Sequence, residues 1–115
     1  MTDALTPVQI VLAQLEAFNR HDLGGVLARV ADNLVVTDAH GAPILAGRDA
    51  MREAIRLQFA VHPGLKSDLL DRMSLGEWVI DETMITGYED DSQIHLIAIM
   101  RVLDGRIAAV RVIRG

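Results

Sequence analysis

Three turn sequences divide the second half of the chain into runs that read as β-strands. Gly76-Glu77, Asp90-Asp91-Ser92 and Asp104-Gly105 separate segments rich in Val, Ile, Leu and Met. Asp-Gly between two such segments is a strong short-range signal for a β-hairpin. The predicted strands span residues 66–75, 78–89, 93–103 and 106–114. Consecutive hairpins form an antiparallel sheet, so about half of the chain is constrained to this architecture.

The first part of the chain carries the signals of two consecutive helices. Thr6 and Gln9 have the spacing of a capping box, and Pro7 between them suits the first helical position. Apolar residues then recur at helical spacing as far as Phe18. Asp22 can cap a second, short helix after a brief interruption.

Two short strands and a third helix are predicted between these helices and the hairpins. Residues 34–38 form a strand rich in Val, and residues 43–46 form a return strand. Gly47 then opens a helix whose apolar residues recur four apart. Pro63 ends this helix, because proline disfavours helical conformation in the residue before it. Helices followed by a meander of strands predict an α+β protein.

Size and composition exclude several classes of protein. A chain of 115 residues forms one domain. The net charge of -5 argues against binding to nucleic acid, and the absence of cysteine excludes disulfide and thiolate metal sites. No apolar run approaches the roughly 20 residues that a membrane-spanning helix needs. We therefore expect a cytoplasmic protein that binds neither nucleic acid nor membrane.

The order of three short motifs points to a known superfamily. AFNRHD at residues 17–22 joins two helices, ADNLVVTD at 31–38 is a strand that ends in Asp, and GRDA at 47–50 opens the next helix. This order resembles the nuclear transport factor 2-like superfamily, which includes ketosteroid isomerase and the SnoaL-type polyketide cyclases. The resemblance implies a single SnoaL-like or ketosteroid isomerase-like domain over residues 1–115. Its fold would be a cone of three N-terminal helices packed on a curved, mostly antiparallel sheet (a cystatin-like roll) around a hollow interior.

The turn at Gly76-Glu77 predicts which side chains share a face of the first hairpin. With a two-residue turn, Asp71 pairs with Glu82, and Arg72 pairs with Asp81 on the other face as a surface ion pair. Successive side chains alternate between faces, so one face of the second strand carries Trp78, Ile80, Glu82, Met84, Thr86 and Tyr88. The resemblance assigns that face to the hollow interior, and with it Leu96, Ala98, Met100 and Val102 of the next strand.

The sequence allows two alternatives for the side chains of the last strand that face inward. A three-residue loop around Asp104-Gly105 sends Val110 and Val112 inward, whereas a two-residue loop sends Ala109 and Arg111 inward.

The outward face of the sheet predicts a partner. Ile97 and Ile99 point away from the interior, and adjacent isoleucines are disfavoured on the surface of a monomer. No helix remains to cover them, so a second copy of the chain is the simplest cover. Dimers formed through the sheet are also what the resemblance implies. We therefore expect a homodimer.

Asp38 is the first candidate for catalysis. In ketosteroid isomerase the aspartate at the matching position is the general base, which moves a proton between carbons of an enolisable ketone. A carboxylate suits this work when an apolar wall raises its pKa. The alternative is that Asp38 ends its strand by bonding to the turn that follows, a common role for Asp.

Asp71 and Glu82 form the second candidate. Two adjacent carboxylates in a partly buried hollow do not ionise together cheaply, so one would hold a proton and act as an acid. With Asp38 as base, the interior would then support enolisation, dehydration or addition of water. The alternative is that both lie at a wet rim near the hairpin.

The remainder of the isomerase site is absent. The family holds the developing oxyanion with a tyrosine of the first helix and a protonated aspartic acid of a late strand. The matching residues here are Gln14 and Ala98, so we do not expect ketosteroid isomerase activity. Limonene epoxide hydrolase needs an aspartate on the last strand, where this chain has Val110 to Ile113.

Other side chains are candidates for binding an apolar ligand. The predicted lining consists of Gln14, Phe18, His40, Trp78, Met84, Tyr88, Ala98 and Met100. The four histidines lack the short spacings of paired metal ligands, so neither a metal nor another cofactor is expected. Three functions remain open: a cofactor-independent isomerase, lyase or cyclase acting on an apolar carbonyl compound, a non-catalytic hydrophobic-ligand binding protein, or a structural dimerisation module.

Overall fold

Three helices and six strands make up the part of the chain that the structure describes. The structure is a computed structural model that describes residues 5–115, so the first four residues of the expected domain lie outside it. The elements in chain order are α1 (Pro7–Asn19), α2 (Leu23–Leu27), β1 (Val30–Thr37), β2 (Pro43–Ala46), α3 (Arg48–Val61), β3 (Lys66–Leu75), β4 (Trp78–Thr86), β5 (Ile94–Leu103) and β6 (Arg106–Arg114). The α+β class is confirmed. The prediction that the fold has three N-terminal helices is not confirmed, because α2 is a short helix of five residues and α3 follows β1 and β2.

The predicted caps fix where the first two helices begin. The Thr6 hydroxyl accepts the backbone N–H of Gln9 at 3.2 Å, and the Thr6 N–H donates to Oε1 of Gln9 at 2.8 Å. This reciprocal arrangement is the capping box that the sequence predicted. Asp22 caps α2 by accepting the N–H of Gly25 at 3.0 Å. These bonds satisfy backbone donors that would otherwise lack partners at a helix start.

The six strands form one sheet in the order β2-β1-β6-β5-β4-β3. All neighbours are antiparallel except β1 and β6, which are parallel. The predicted register of the first hairpin is confirmed, since Asp71 pairs with Glu82 and Arg72 pairs with Asp81. The last hairpin turns through Asp104 and Gly105, both at positive φ (52° and 74°), which is the geometry of a tight two-residue turn.

A β-bulge decides the inward face of β6. The turn is of two residues, yet Arg101 pairs with Ala109 while Val102 pairs with Ile107, so Ala108 is an extra residue. One extra residue reverses the face of every side chain beyond it. Val110 therefore packs on the core, the outcome that the sequence linked to a three-residue loop.

The core lies between the helices and one face of the sheet. It is aliphatic and consists of Ile10, Val11, Val30, Leu34, Val79, Met100, Val102 and Ile107. Burial of such side chains is the main favourable contribution to folding. Within residues 5–115, no helix is both long enough and apolar enough to cross a membrane.

The face of β4 that meets the helices is the opposite of the one predicted. Val79 is 0% exposed and Asp81 is 4% exposed, whereas Trp78 is 44% exposed on the other face. The reason lies in the connection from β4 to β5, which spans residues 87–93 and is too long to impose a register. The observed pairing joins Glu82 to Ile97 and Asp81 to Ala98. The face shared by Ala98 and Met100 thus carries Asp81.

Candidate functional site

A mostly apolar cavity of about 170 Å³ lies between the helices and the inner face of the sheet. Helices α1, α2 and α3 form one side of it, and strands β3, β4 and β5 form the other. The apolar lining residues are Val11, Leu15, Phe18, Val26, Met51, Ile55, Ile85, Leu96, Ala98 and Met100. The polar lining residues are Gln14, Ser67, Asp81 and Thr83. Among the described residues that line this cavity, Asp81 is the only charged one.

Asp81 is held by a bidentate ion pair. Nε of Arg72 donates to Oδ1 of Asp81 at 2.6 Å, and Nη2 of Arg72 donates to Oδ2 at 2.8 Å. The two side chains are 15% and 5% exposed, respectively. The hydrogen bonds to Asp81 raise the pKa of Arg72 above its ordinary value, so the guanidinium stays charged. A carboxylate has about four lone-pair positions, so two bonds from Arg72 leave capacity for a ligand.

A second β-bulge decides which residue at the start of β3 faces the cavity. Leu70 is an extra residue in β3 and has no register partner on β4. Without it, the register of the hairpin would place Asp68, rather than Ser67, opposite Ile85 on the inner face. The bulge therefore directs Ser67 toward the cavity and leaves Asp68 exposed. Re-aiming a side chain is a common use of bulges near functional sites.

The other polar groups occupy two walls of the cavity. Thr83 lies two residues beyond Asp81 on the same face of β4, and Ser67 lies on β3 opposite Ile85. Gln14 comes from α1, where its Nε2 donates to the backbone oxygen of Val26 at 3.1 Å. Among the described residues, every fully buried side-chain nitrogen or oxygen has a hydrogen-bond partner. The β3–β4 wall thus carries the hydroxyl and carboxylate groups, while the helical wall is mainly apolar.

The C-terminal end of α1 is fixed to the start of β3. Nδ2 of Asn19 donates to the backbone oxygen of Ser67 at 2.9 Å, and Oδ1 of Asn19 accepts the backbone N–H of Ser67 at 2.8 Å. Nε2 of His21 lies 2.7 Å from the backbone oxygen of Leu65, and its ring stacks on Phe59 with 4.2 Å between ring centres. These contacts set the separation between α1 and the sheet, and hence the width of the cavity at Phe18.

Asp38 lies in the turn between β1 and β2. Its Oδ1 accepts the backbone N–H groups of His40 and Ala42, each at 2.9 Å. The N–H groups of Ala42 and then His40 hold the pKa of Asp38 below its ordinary value. The expectation that an apolar wall raises this pKa is therefore wrong. The geometry is the alternative that the sequence left open, a strand-end carboxylate bonded to its own turn.

Asp71 and Glu82 are neighbours, as the register predicted, but they lie on the outer face of the sheet. The Asp71 carboxylate accepts the N–H of Arg72 at 2.9 Å and is exposed. Oε2 of Glu82 lies 2.7 Å from Nε2 of His95, and these two side chains are 38% and 47% exposed. The placement of this carboxylate pair in a buried hollow is thus wrong, because the inner face of β4 carries Asp81 and Thr83 instead.

Four residues predicted to line the hollow lie elsewhere. Trp78 is on the outer face, with the guanidinium of Arg101 at 5.5 Å from its ring centre, and Met84 shares that face. Tyr88 follows β4 and meets the ring of His62 edge-on at 4.9 Å, and burial raises the pKa of its hydroxyl. His40 is exposed in the Asp38 turn.

The other predicted lining residues do come together. The cavity wall includes Gln14, Phe18, Ala98 and Met100. The sequence missed Ser67, Asp81 and Thr83 because polar side chains on a strand usually indicate the solvent face. The predicted pairing of Arg72 with Asp81 was the available signal. The prediction that this is a surface ion pair is wrong, because the two side chains are only 15% and 5% exposed.

No metal site is apparent among residues 5–115, where no three His, Asp or Glu side chains come close enough together to hold an ion.

One family profile matches most of the chain. The profile described as SnoaL-like domain matches residues 11–110. The chain has no significant match among curated proteins.

Solved structures with the same fold come from several bacteria. An uncharacterised cystatin-fold protein from Novosphingobium aromaticivorans is 18% identical, with a TM-score of 0.87 over 96% of this chain and 99% of that one. IdmH from Streptomyces antibioticus, a proposed polyketide cyclase, is 20% identical, with a TM-score of 0.80 over 96% and 92%. An LEH-like epoxide hydrolase from M. tuberculosis is 21% identical, with a TM-score of 0.81 over 95% and 82%. At these identities the similarity establishes the fold.

Proposed function

Because the chain belongs to the SnoaL-like domain family, we propose that it binds a small molecule in the inner cavity and acts on it as a cofactor-independent enzyme. The reaction class is carboxylate acid-base chemistry on an apolar carbonyl compound. Structural neighbours described as a proposed polyketide cyclase and an epoxide hydrolase support a small-molecule enzyme in this fold. Fold alone does not determine chemistry, so the proposal depends on the site.

The observation that carries the proposal is a single buried carboxylate in an apolar cavity. Asp81 is 4% exposed and faces the cavity, and Arg72 balances its charge through two hydrogen bonds. An apolar pocket with a few polar groups in fixed positions is typical of small-molecule sites. Asp81 therefore replaces Asp38, Asp71 and Glu82 as our candidate for the reacting carboxylate.

The step that this arrangement supports is proton transfer at carbon. Asp81 takes a proton from the carbon beside the ligand carbonyl, and the electron pair of that C–H bond becomes the C=C bond of an enolate. The carbonyl π pair moves onto oxygen, where a hydroxyl such as that of Thr83 donates to the developing charge. The protonated Asp81 then returns the proton to the same or another carbon, so the carboxylate is regenerated.

Binding is tested by thermal shift and calorimetry with a panel of apolar ketones. The matched variant is Ala98→Leu, which fills part of the cavity from β5 without adding a polar group. We expect at least one ketone to raise the Tm of the wild-type protein and to bind Ala98→Leu at least tenfold more weakly. A ligand that binds both proteins equally would occupy some other site and would contradict the proposal.

Chemistry is tested by exchange of ligand hydrogens for deuterium in D₂O, followed by proton NMR. We expect Asp81→Asn to slow the exchange by about 10²–10⁴-fold, the usual contribution of a general base. Asp38→Asn is the matched control and should retain the wild-type rate. If folding suffers because Arg72 is left unpaired, Arg72→Met/Asp81→Asn carries no buried charge and serves instead. Loss of exchange in Asp38→Asn alone would restore Asp38 as the base.

A specific result would select the non-catalytic alternative. If a ketone binds with the same affinity to wild type and to Asp81→Asn, and neither protein catalyses exchange, the cavity is that of a hydrophobic-ligand binding protein. Its mostly apolar lining is the observation that favours this second candidate.

We also propose that the outer face of the sheet is covered by a second copy of the chain. Met73 and Leu75 are 64% and 83% exposed on this face, next to the half-exposed Trp78 and to Ile97. A cleft of about 480 Å³ runs over the neighbouring strands. Apolar patches of this kind typically mark an interaction site. The face also carries both charge signs, with Glu82 and Arg111, which suits a self-complementary interface.

Multi-angle light scattering at micromolar concentration measures the oligomeric state directly. We expect twice the monomer mass for wild type and a monomer for Ile97→Asp. Leu57→Asp is the control, because Leu57 is an exposed leucine on α3, away from the sheet face. A monomeric wild type would refute the dimer.

A further inference from the structure

The size and charge of the inner cavity restrict the ligand further. We infer that the cavity accepts a neutral compound with a single ring whose ketone group meets the β3–β4 wall, and that it rejects fused-ring and anionic ligands. This inference rests on the proposed function and names the substrate class of the same site. It is carried by three features of the site: the volume, the charge balance and the position of the polar groups.

The volume limits the ligand to about one ring. The cavity measures about 170 Å³, whereas pockets for drug-sized ligands measure about 300–1,000 Å³. An apolar cavity of about 150 Å³ is known to accept benzene. One six-membered ring with one or two small substituents therefore fills this volume, whereas a fused bicyclic or tetracyclic compound exceeds it. Met51 and Ile55 line the helical side of the cavity, so truncation of either side chain enlarges it.

The charge balance excludes an anion. Asp81 is the only charged side chain among the described lining residues, and both of its oxygens already accept from Arg72. The pair is therefore electrically balanced before a ligand enters. A ligand carboxylate would bring an unpaired charge into a mostly apolar space next to Asp81, and burial of such a charge is strongly disfavoured.

The position of the polar groups sets the orientation of the ligand. Thr83 and Asp81 share the inner face of β4, and Ser67 lies beside them on β3. The hydroxyls of Thr83 and Ser67 can donate to a ketone oxygen, while the carboxylate of Asp81 accepts only. The facing wall carries Phe18 and Met51, which suit the hydrocarbon part of a ring. A monocyclic ketone thus presents its oxygen to the hydroxyls and its acidic C–H bond to Asp81.

The test is calorimetry with a series matched in shape: cyclohexanone, methylcyclohexane, cyclohexanecarboxylate and 2-decalone. We expect cyclohexanone to bind wild type about 3- to 10-fold more tightly than methylcyclohexane, the equivalent of one neutral hydrogen bond. Cyclohexanecarboxylate and 2-decalone should each bind at least tenfold more weakly than cyclohexanone. Met51→Ala, which enlarges the cavity, should gain affinity for 2-decalone, and Ile55→Ala replaces it if Met51→Ala is too unstable.

The outcomes separate this inference from the proposed function. If 2-decalone or the carboxylate binds wild type as tightly as cyclohexanone does, or if the ketone has no advantage over the hydrocarbon, the substrate class is overturned but a ligand cavity stands. If no compound binds wild type, Met51→Ala or Ile55→Ala, the proposed function itself fails.

Discussion

Pairs of acidic and basic side chains occur on both faces of the sheet but differ in their surroundings. On the inner face Arg72 and Asp81 form a bidentate pair whose side chains are 15% and 5% exposed. On the outer face Glu82 and His95 pair at 2.7 Å, and Arg101 and Glu77 pair at 3.0 Å, with 38–47% of each side chain exposed.

Burial, rather than the number of contacts, decides what such a pair does. An exposed pair gains little because water and salt screen it. A buried pair is costly to desolvate, so removal of one partner leaves an uncompensated charge that is strongly destabilising. The presence of the buried Arg72–Asp81 pair is therefore weak evidence that the pair stabilises the fold. Its position on a cavity wall favours a functional role for it. Four measurements test this difference between the two faces.

The largest effect is expected from breaking the inner pair. Arg72→Met leaves the Asp81 carboxylate buried and unpaired, and should lower the free energy of unfolding by about 3–5 kcal/mol. The double variant Arg72→Met/Asp81→Leu should recover most of that loss. Urea denaturation measures both. Arg56→Met, which breaks an exposed pair on α3, is the control and should change little. A small effect of Arg72→Met would show that the inner pair is hydrated.

A nearly equal effect is expected from the aliphatic core behind β1. Leu34 is 0% exposed on the inner face, and its neighbour Val35 is 38% exposed on the outer face. Leu34→Ala should cost about 2–5 kcal/mol, because it removes buried methyl groups and leaves a cavity. Val35→Ala should cost about 0.5 kcal/mol or less in the monomer. In the proposed dimer, where a second copy covers this face, the loss for Val35→Ala should be larger and should grow with protein concentration. Equal losses for the two variants at low protein concentration would contradict the difference in burial.

A small effect is expected from the outer pair. Glu82→Gln removes the charge that faces His95 while keeping the shape of the side chain. The free energy of unfolding at pH 7 should fall by about 1 kcal/mol or less, since both partners are well exposed. Differential scanning calorimetry at low and high salt checks this, because an exposed pair weakens with salt. A loss as large as that of Arg72→Met would contradict the contrast between the faces.

The smallest effect is expected at the Asp38 turn, and it depends on pH. Backbone N–H groups of Ala42 and His40 favour the ionised carboxylate, so its folded-state pKa lies below the ordinary value of 3.8. The unfolded chain then binds protons at a higher pH than the folded protein does. The stabilisation is present above pH 3.8 and is lost as the pH falls through the folded-state pKa. Asp38→Ala should therefore lower the Tm at pH 7 more than at pH 2.5. An equal loss at both pH values would rule out this linkage.

Much of the local structure was predictable from the sequence because the signals act over short distances. The capping box of Thr6 and Gln9 depends on residues three apart, and it places the start of α1 correctly. The turn at Gly76-Glu77 likewise fixes the pairing of Arg72 with Asp81, because a two-residue turn permits few registers. Phe18 belongs to the apolar stripe of α1, and the family resemblance assigned Met100 to the interior; the structure places both residues in the cavity wall.

The identity of the inner face of β4 could not be read in the same way. Trp78 and Ile80 on one face are as apolar as Val79 and Ile85 on the other, and Asp81 makes the true inner face look like the solvent face. The alternation of side chains along β4 defines two faces, but it does not identify the face that packs against the helices. The pairing of β4 with β5 across residues 87–93 settles it, and that pairing is a contact between whole strands.

The sequence alone predicts the order of helices and strands, the helix caps and the register across each two-residue turn, because these depend on residues that are neighbours along the chain. Which carboxylate is buried depends instead on contacts between the sheet and the helices. The same is true of the two bulges: the extra residue Leu70 in β3 places Ser67 in the cavity wall, and the extra residue Ala108 in β6 turns Val110 toward the core. No sequence signal marks either bulge. Each forms because packing between the sheet and the helices favours burial of Val110, and of Ser67 in place of the charged Asp68, over the unbulged alternation.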